Sequence, residues 1–149
     1  MMRSAILTVA LLATSGAARA DDVRVHQIME GAEVNALAGS DCETIGGLPT
    51  GLDGAMPARL DAPAGLSAQY YGAGRLVYAF DIGDDGVVHN VRPIQIAYPT
   101  QSPVMTEGQI RLLLSAAAAQ LGETRLISSG GDGTLTRRDC IAWADFVVN

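Results

Sequence analysis

The sequence predicts an α+β fold: a small antiparallel sheet, built from a hairpin plus the terminal strand, packed on one amphipathic helix in two layers, with a loop-rich N-terminal segment. Three observations carry this prediction. Leu76, Tyr78, Phe80 and Ile82 alternate with Val77, Ala79 and Asp81, and the turn Gly83-Asp84-Asp85-Gly86 leads into a second β-favouring run. Ile110, Leu113, Leu114, Ala117 and Leu121 recur at the spacing of one helix face. The chain closes on a further alternation, Cys140, Ala142, Ala144 and Phe146 against Ile141, Trp143, Asp145 and Val147.

Taken in order, the first twenty residues read as an export leader. Arg3 supplies a positive start, 5–16 is uncharged and apolar, and Ala18-Arg19-Ala20 offers small residues where a signal peptidase cuts. That apolar run falls short of the roughly 20 residues a spanning helix needs, so cleavage after Ala20 is expected. Residues 21–39 carry two patterns: Val23 and Val25 alternate as in a strand, while Val25, Ile28, Met29, Ala32 and Ala36 keep helical spacing, which suggests a helix with a strand-like lead-in. From 39 to 74 glycines and prolines break every long element, and Leu48, Leu52, Met56, Leu60 and Leu66 are placed to anchor a wrapping loop on apolar surface.

Residues 75–82 and 87–96 form the hairpin, with Pro93 confined to an edge or a bulge because it has no N–H for a ladder. Thr106 and Gln109 have capping-box spacing at the start of the helix, and Gly122 stands at its end. A short strand at 125–128, a turn at 129–133 and a long strand over 135–148, bent near Arg137-Arg138-Asp139, complete the chain. The organisation is thus a leader at 1–20, a loop-rich segment at 21–71 packed on the domain, and the α+β domain at 72–149.

Charge narrows the partners. Acidic residues outnumber basic ones 16 to 10, every basic residue is Arg, and no basic cluster exceeds Arg137-Arg138, a composition that argues against nucleic acid. Removing Arg3 and Arg19 with the leader makes the remainder more acidic still. Nothing after Asp21 is apolar for long enough to span a bilayer. Cys42 and Cys140, an even pair in an exported chain, read first as one disulfide, with a free thiol or a metal site as alternatives; their spacing lacks the close pairing of zinc sites. Such a bridge closes a long loop and stabilises by roughly 4 to 5 kcal/mol in the chain-entropy model.

Catalytic patterns are weak. Asp81, Asp84 and Asp85 around Gly86 invite a calcium reading, yet an EF-hand loop counted from Asp81 places Gly83 at its third position and Arg92 at its twelfth, so a turn is the better account. His26 and His89 are isolated, no G-x-S-x-G elbow occurs, and the glycine clusters do not open helices. No catalytic set, metal or cofactor is expected. Trp143 on the terminal strand is either a core aromatic beneath the helix or part of an edge that receives a partner strand.

The run from Gly74 through Asp85, Gly86, Val88, Asn90 and Val91, followed by the helix stripe and a closing apolar strand, resembles the C-terminal domain of the TonB family. The chain departs from that family in having Gln120-Leu-Gly-Glu123-Thr-Arg-Leu after the helix, instead of an aromatic-basic-aromatic cluster and a proline, and in having a cleavable leader in place of a retained anchor. The resemblance implies a periplasmic or secreted module, without a cofactor, that binds envelope proteins by strand addition, outer-membrane receptors among them. It maps the partner-binding position onto the last strand, Ile141, Ala142, Trp143, Ala144, Asp145, Phe146 and Val147, and an edge strand also permits a homodimer. The alternative is a small exported enzyme or inhibitor on a similar scaffold.

Overall fold

A computed structural model describes residues 23–38, 42, 44–45, 48–67, 71–130 and 133–148; the leader expected at 1–20 lies outside them. The elements are β1 (Val23–Gln27), α1 (Gly31–Ala38), β2 (Thr44–Ile45), β3 (Leu48–Pro49), β4 (Leu52–Asp53), β5 (Arg59–Asp61), β6 (Ala73–Ile82), β7 (Val88–Pro99), α2 (Glu107–Leu121), β8 (Ile127–Ser128) and β9 (Arg137–Val147). The main sheet has five strands in the order β1-β7-β6-β9-β5. All neighbours are antiparallel except β5, which runs parallel to β9. The hairpin β6–β7, the helix α2 and the return of β9 beside β6 form the unit the sequence predicts.

The two-layer expectation is corrected. Leu113, Ala117 and Leu121 of α2 are buried with Tyr78, Phe80, Ile96, Tyr98, Ala142, Ala144 and Phe146 on one side of the sheet. On the other side Leu37 of α1 joins Ala79 and Ile94, with Met29, Val34, Val77 and Ile141 packed around them. A helix therefore covers part of each face. The physical reason is legible in β6, where Tyr78, Ala79 and Phe80 are all fully buried and a polar-out face is missing.

Local chemistry fixes the joints. Gly86 sits in the hairpin turn at φ +78, and its N–H donates to the Gly83 carbonyl at 3.0 Å. A Cβ there would also lie 2.0 Å from the Leu126 carbonyl, so conformation and space both demand glycine. Gly74 is constrained by close approach, since a Cβ would meet the Phe146 ring at 2.2 Å. Thr106 and Gln109 form the predicted capping box on α2. Gly122 caps the other end in a right-handed conformation, φ −65, so its role is not the left-handed one of a typical helix-terminal glycine. Tyr71 and Tyr98 meet edge to face; Tyr71 donates to the Pro103 carbonyl and the Tyr98 hydroxyl accepts from the Met105 N–H, pinning the loop into α2. Burial raises the Tyr71 hydroxyl above its ordinary range, with Tyr98 adding to the effect.

The glycine-rich segment carries more order than a loop. Leu52, Leu60 and Leu66 are buried as anchors, β4 pairs with β8, and β5 joins the main sheet. Cys42 and Cys140 form a disulfide across 98 positions, fixing this segment to β9. No helix among the described residues is long and apolar enough to cross a membrane.

Candidate functional site

The last strand was the expected partner site, and its seven residues divide between two faces. Ala142, Ala144 and Phe146 are buried toward α2, Ile141 packs toward α1, and Val147 is half-buried. Asp145 pairs with Arg75 at 2.8 Å on an exposed surface. Trp143 is 51% exposed, on the face away from α2, which excludes the core-aromatic reading. Strands present their hydrogen-bonding groups alternately to either side, and the Asp145 N–H donates to the Ala58 carbonyl at 2.9 Å while the Val147 carbonyl accepts from the Ala62 N–H at 3.0 Å. The outer edge at Asp145–Val147 is thus already occupied by β5. Gln120 of α2 in turn closes β5: its side chain accepts from the Asp61 N–H and donates to the Asp61 carbonyl, both at 2.8 Å, much as a neighbouring strand would.

The opposite edge is built differently. The Ile28 N–H donates to the Ile94 carbonyl at 2.9 Å, so Arg24 and His26 share its inward direction toward β7, while Val23, Val25 and Gln27 direct their backbone groups outward. Among the described residues β1 has β7 as its one strand neighbour. The Val25 side chain is 42% exposed. Arg24 is held over the Tyr98 ring at 5.9 Å and donates to the Thr100 carbonyl at 2.8 Å, steadying the strand from its inner side. The sequence shows a strand here only as the lead-in to a helix, and nothing local marks it as a sheet edge.

A third feature lies at the ends of β6, β7 and β9. Both β7 and β9 bulge against β6, and the only non-glycine residues with positive φ among those described, Asn90 at +52 and Asp139 at +54, sit at these bulges. Asn and Asp are the side chains that tolerate this conformation best. Asp81 clasps the two bulges together. Its carboxylate accepts from the Asn90 amide at 2.8 Å, from the Asp139 N–H at 2.9 Å and from Arg92 at 3.4 Å. Arg92 also pairs with Asp139 at 2.7 Å and donates to the Asn90 carbonyl at 2.8 Å. Burial opposes ionisation of Asp81, but the Asn90, Asp139 and Arg92 donors outweigh it and hold the carboxyl below its ordinary value. Beside this clasp is a cleft of about 330 Å³ lined by Asp81, Ile82, Gly83, His89, Thr136, Arg137, Arg138 and Asp139. The sequence offered Asp81 only as a turn-flanking acid and His89 as an isolated surface residue; bulges, which bring them together, leave little trace in alternation.

No group of His, Cys, Asp and Glu among the described residues is arranged to hold a metal ion. No family model, curated protein or solved structure matches the chain. The likeness to the TonB C-terminal domain therefore rests on the residue pattern alone.

Proposed function

We propose that the chain is an exported, periplasmic interaction module, similar in layout to a TonB C-terminal domain, that binds an extended segment of an envelope protein by adding it to the β1 edge of its sheet. The observation that carries this reading is the outward-facing backbone of Val23, Val25 and Gln27, a row of donors and acceptors of the kind a guest strand completes. Export is supported by the leader pattern and by the disulfide, which belongs in an oxidising compartment. The resemblance points to outer-membrane receptors as the class of partner and puts the guest beside the last strand. In this chain β5 fills that place over Asp145–Val147, so the guest is assigned to the other edge. The role is binding, not catalysis, and it calls for no cofactor.

Site-specific photo-crosslinking tests the assignment. A photoreactive residue at Gln27 is expected to capture an extended segment of an envelope protein, the same residue at Trp143 is not, and Val25→Pro is expected to abolish capture because it deletes an outward N–H without touching the ladder to β7. Capture from Trp143 alone, or capture from Gln27 that survives Val25→Pro, overturns it.

A further inference from the structure

We infer that the cleft at the ends of β6, β7 and β9 is a receptor for a small oxyanion, a carboxylate or phosphate group, held by Arg137, Arg138 and His89. The site shares no residue with the β1 edge and stands independently of strand addition. Asp81 accepts from Asn90, the Asp139 N–H and Arg92, and Asp139 is paired with the same Arg92, so both carboxylates are held in the clasp and share one guanidinium. The neighbouring turn acid Asp85 accepts from the Val87 N–H.

The cations are placed otherwise. Arg137 donates through one nitrogen to the carbonyls of Thr134 and Thr136, which orients its guanidinium without neutralising it. Arg138 is exposed and has no ion-pair partner among the described residues, and His89, also exposed, lies across the cleft with Nε2 near Gly83. Among the lining residues the carboxylates of Asp81 and Asp139 equal the guanidiniums of Arg137 and Arg138 in number, and Arg92 is committed to both carboxylates, so what is left for a ligand is the two guanidiniums that have no carboxylate partner among the described residues. Planar guanidiniums match the geometry of carboxylate and phosphate oxygens, and Thr136 adds a hydroxyl donor at the rim. The two bulges make the arrangement possible. Each turns its strand locally, and the shared clasp on Asp81 holds them in fixed relation, bringing His89 and Arg138 from separate strands to one opening. The cleft volume is at the small end of the range for ligand pockets, suited to a single anionic group and a short appendage.

The anion can be a free solute or the terminal carboxylate of a peptide, and one titration separates them. Backbone and imidazole NMR signals of the oxidised mature chain are followed against inorganic phosphate, acetate, a tetrapeptide with a free C-terminus and the same peptide amidated, with sodium chloride at matched ionic strength as control. Saturable shifts confined to His89, Arg137, Arg138 and Asp139 are expected, with affinity lowered about tenfold by Arg138→Gln and unchanged by Arg111→Gln on the exposed face of α2. Response to the free peptide far exceeding that to acetate and phosphate identifies a chain terminus; equal response identifies a free anion. Shifts that chloride reproduces, shifts without saturation, or an Arg138→Gln variant that binds as wild type overturn the proposal.

Discussion

The two edges of the main sheet handle the same problem in opposite ways. Beyond β9 the chain supplies its own neighbour: β5 pairs with Asp145–Val147, Gln120 completes the backbone of Asp61, and the disulfide ties Cys42 to the same strand. Beyond β1, Val23, Val25 and Gln27 point outward with no strand beside them among the described residues. An unpaired edge invites pairing, and proteins normally blunt it. Over Asp145–Val147 one edge is covered by β5, backed by Gln120 and tied by the disulfide, while the other edge has none of these devices, and that asymmetry is why we assign binding to β1 and structure to this end of β9.

Breaking the closed edge is expected to have the largest effects. Replacing Cys42 and Cys140 together by Ser removes a constraint worth about 4 to 5 kcal/mol in the chain-entropy model, visible as a large drop in urea midpoint. A change below 1 kcal/mol would mean that the Cys42 segment is held by other contacts. Leu60→Ala, at a side chain only 1% exposed in the middle of β5, is expected to cost about 2 to 5 kcal/mol and to expose Asp145–Val147 to new pairing or aggregation. Gln120→Ala removes two hydrogen bonds to Asp61, for a loss of about 1 to 2 kcal/mol, and raises exchange of the Asp61 amide. Val25→Pro on the open edge should leave stability within about 1 kcal/mol while partner capture is lost. If instead it unfolds the protein, the Val25 N–H is not outward as assigned.

The cleft adds a pH signature. Asp81 has its carboxyl lowered from the ordinary 3.8, so its contribution is fully present above that value and is lost as pH falls through the lower folded-state value. Asp81→Asn is expected to flatten the acid limb of the stability profile, and an unchanged limb would show that other carboxylates set it. The smallest effect belongs to Tyr78. Its hydroxyl is buried without a hydrogen-bond partner among the described residues and burial pushes its ionisation far upward, so Tyr78→Phe is expected to be neutral or stabilising by up to about 1 kcal/mol in thermal unfolding.

How much of this was legible in the sequence follows the range of the interactions. The hairpin, the capped helix, the terminal strand, the strand and helix at the N-terminal end and the cysteine pair were read from local alternation, turn residues and compartment logic. Pro93 sits beside a register shift in β7, as its missing N–H required, although that strand is interior. What escaped was non-local. Arg59–Asp61 is too short to show a period, and only the parallel register with Asp145–Val147 makes it a strand. α1 was read as a helix, but nothing local says that it crosses to the face opposite α2. The cleft was hidden for a similar reason, since Asn90 and Asp139 become bulges through their shared partner Asp81, 9 and 58 positions away in sequence. Hydrogen-bonding parity was hidden too: the resemblance places Ala144 among the partner-binding residues, yet it is buried and pairs with Leu76.

The most direct test of the edge assignment is residue-resolved amide hydrogen exchange on the oxidised chain, free and cross-linked to its captured partner. In the free protein the Val23, Val25 and Gln27 amides should exchange quickly while those of Asp145 and Val147 stay protected. In the complex the three β1 amides should become protected and the β9 amides remain as they were. Protection of Val25 that is unaltered by the partner, together with a change confined to Asp145 and Val147, would contradict the account and return the binding edge to the last strand.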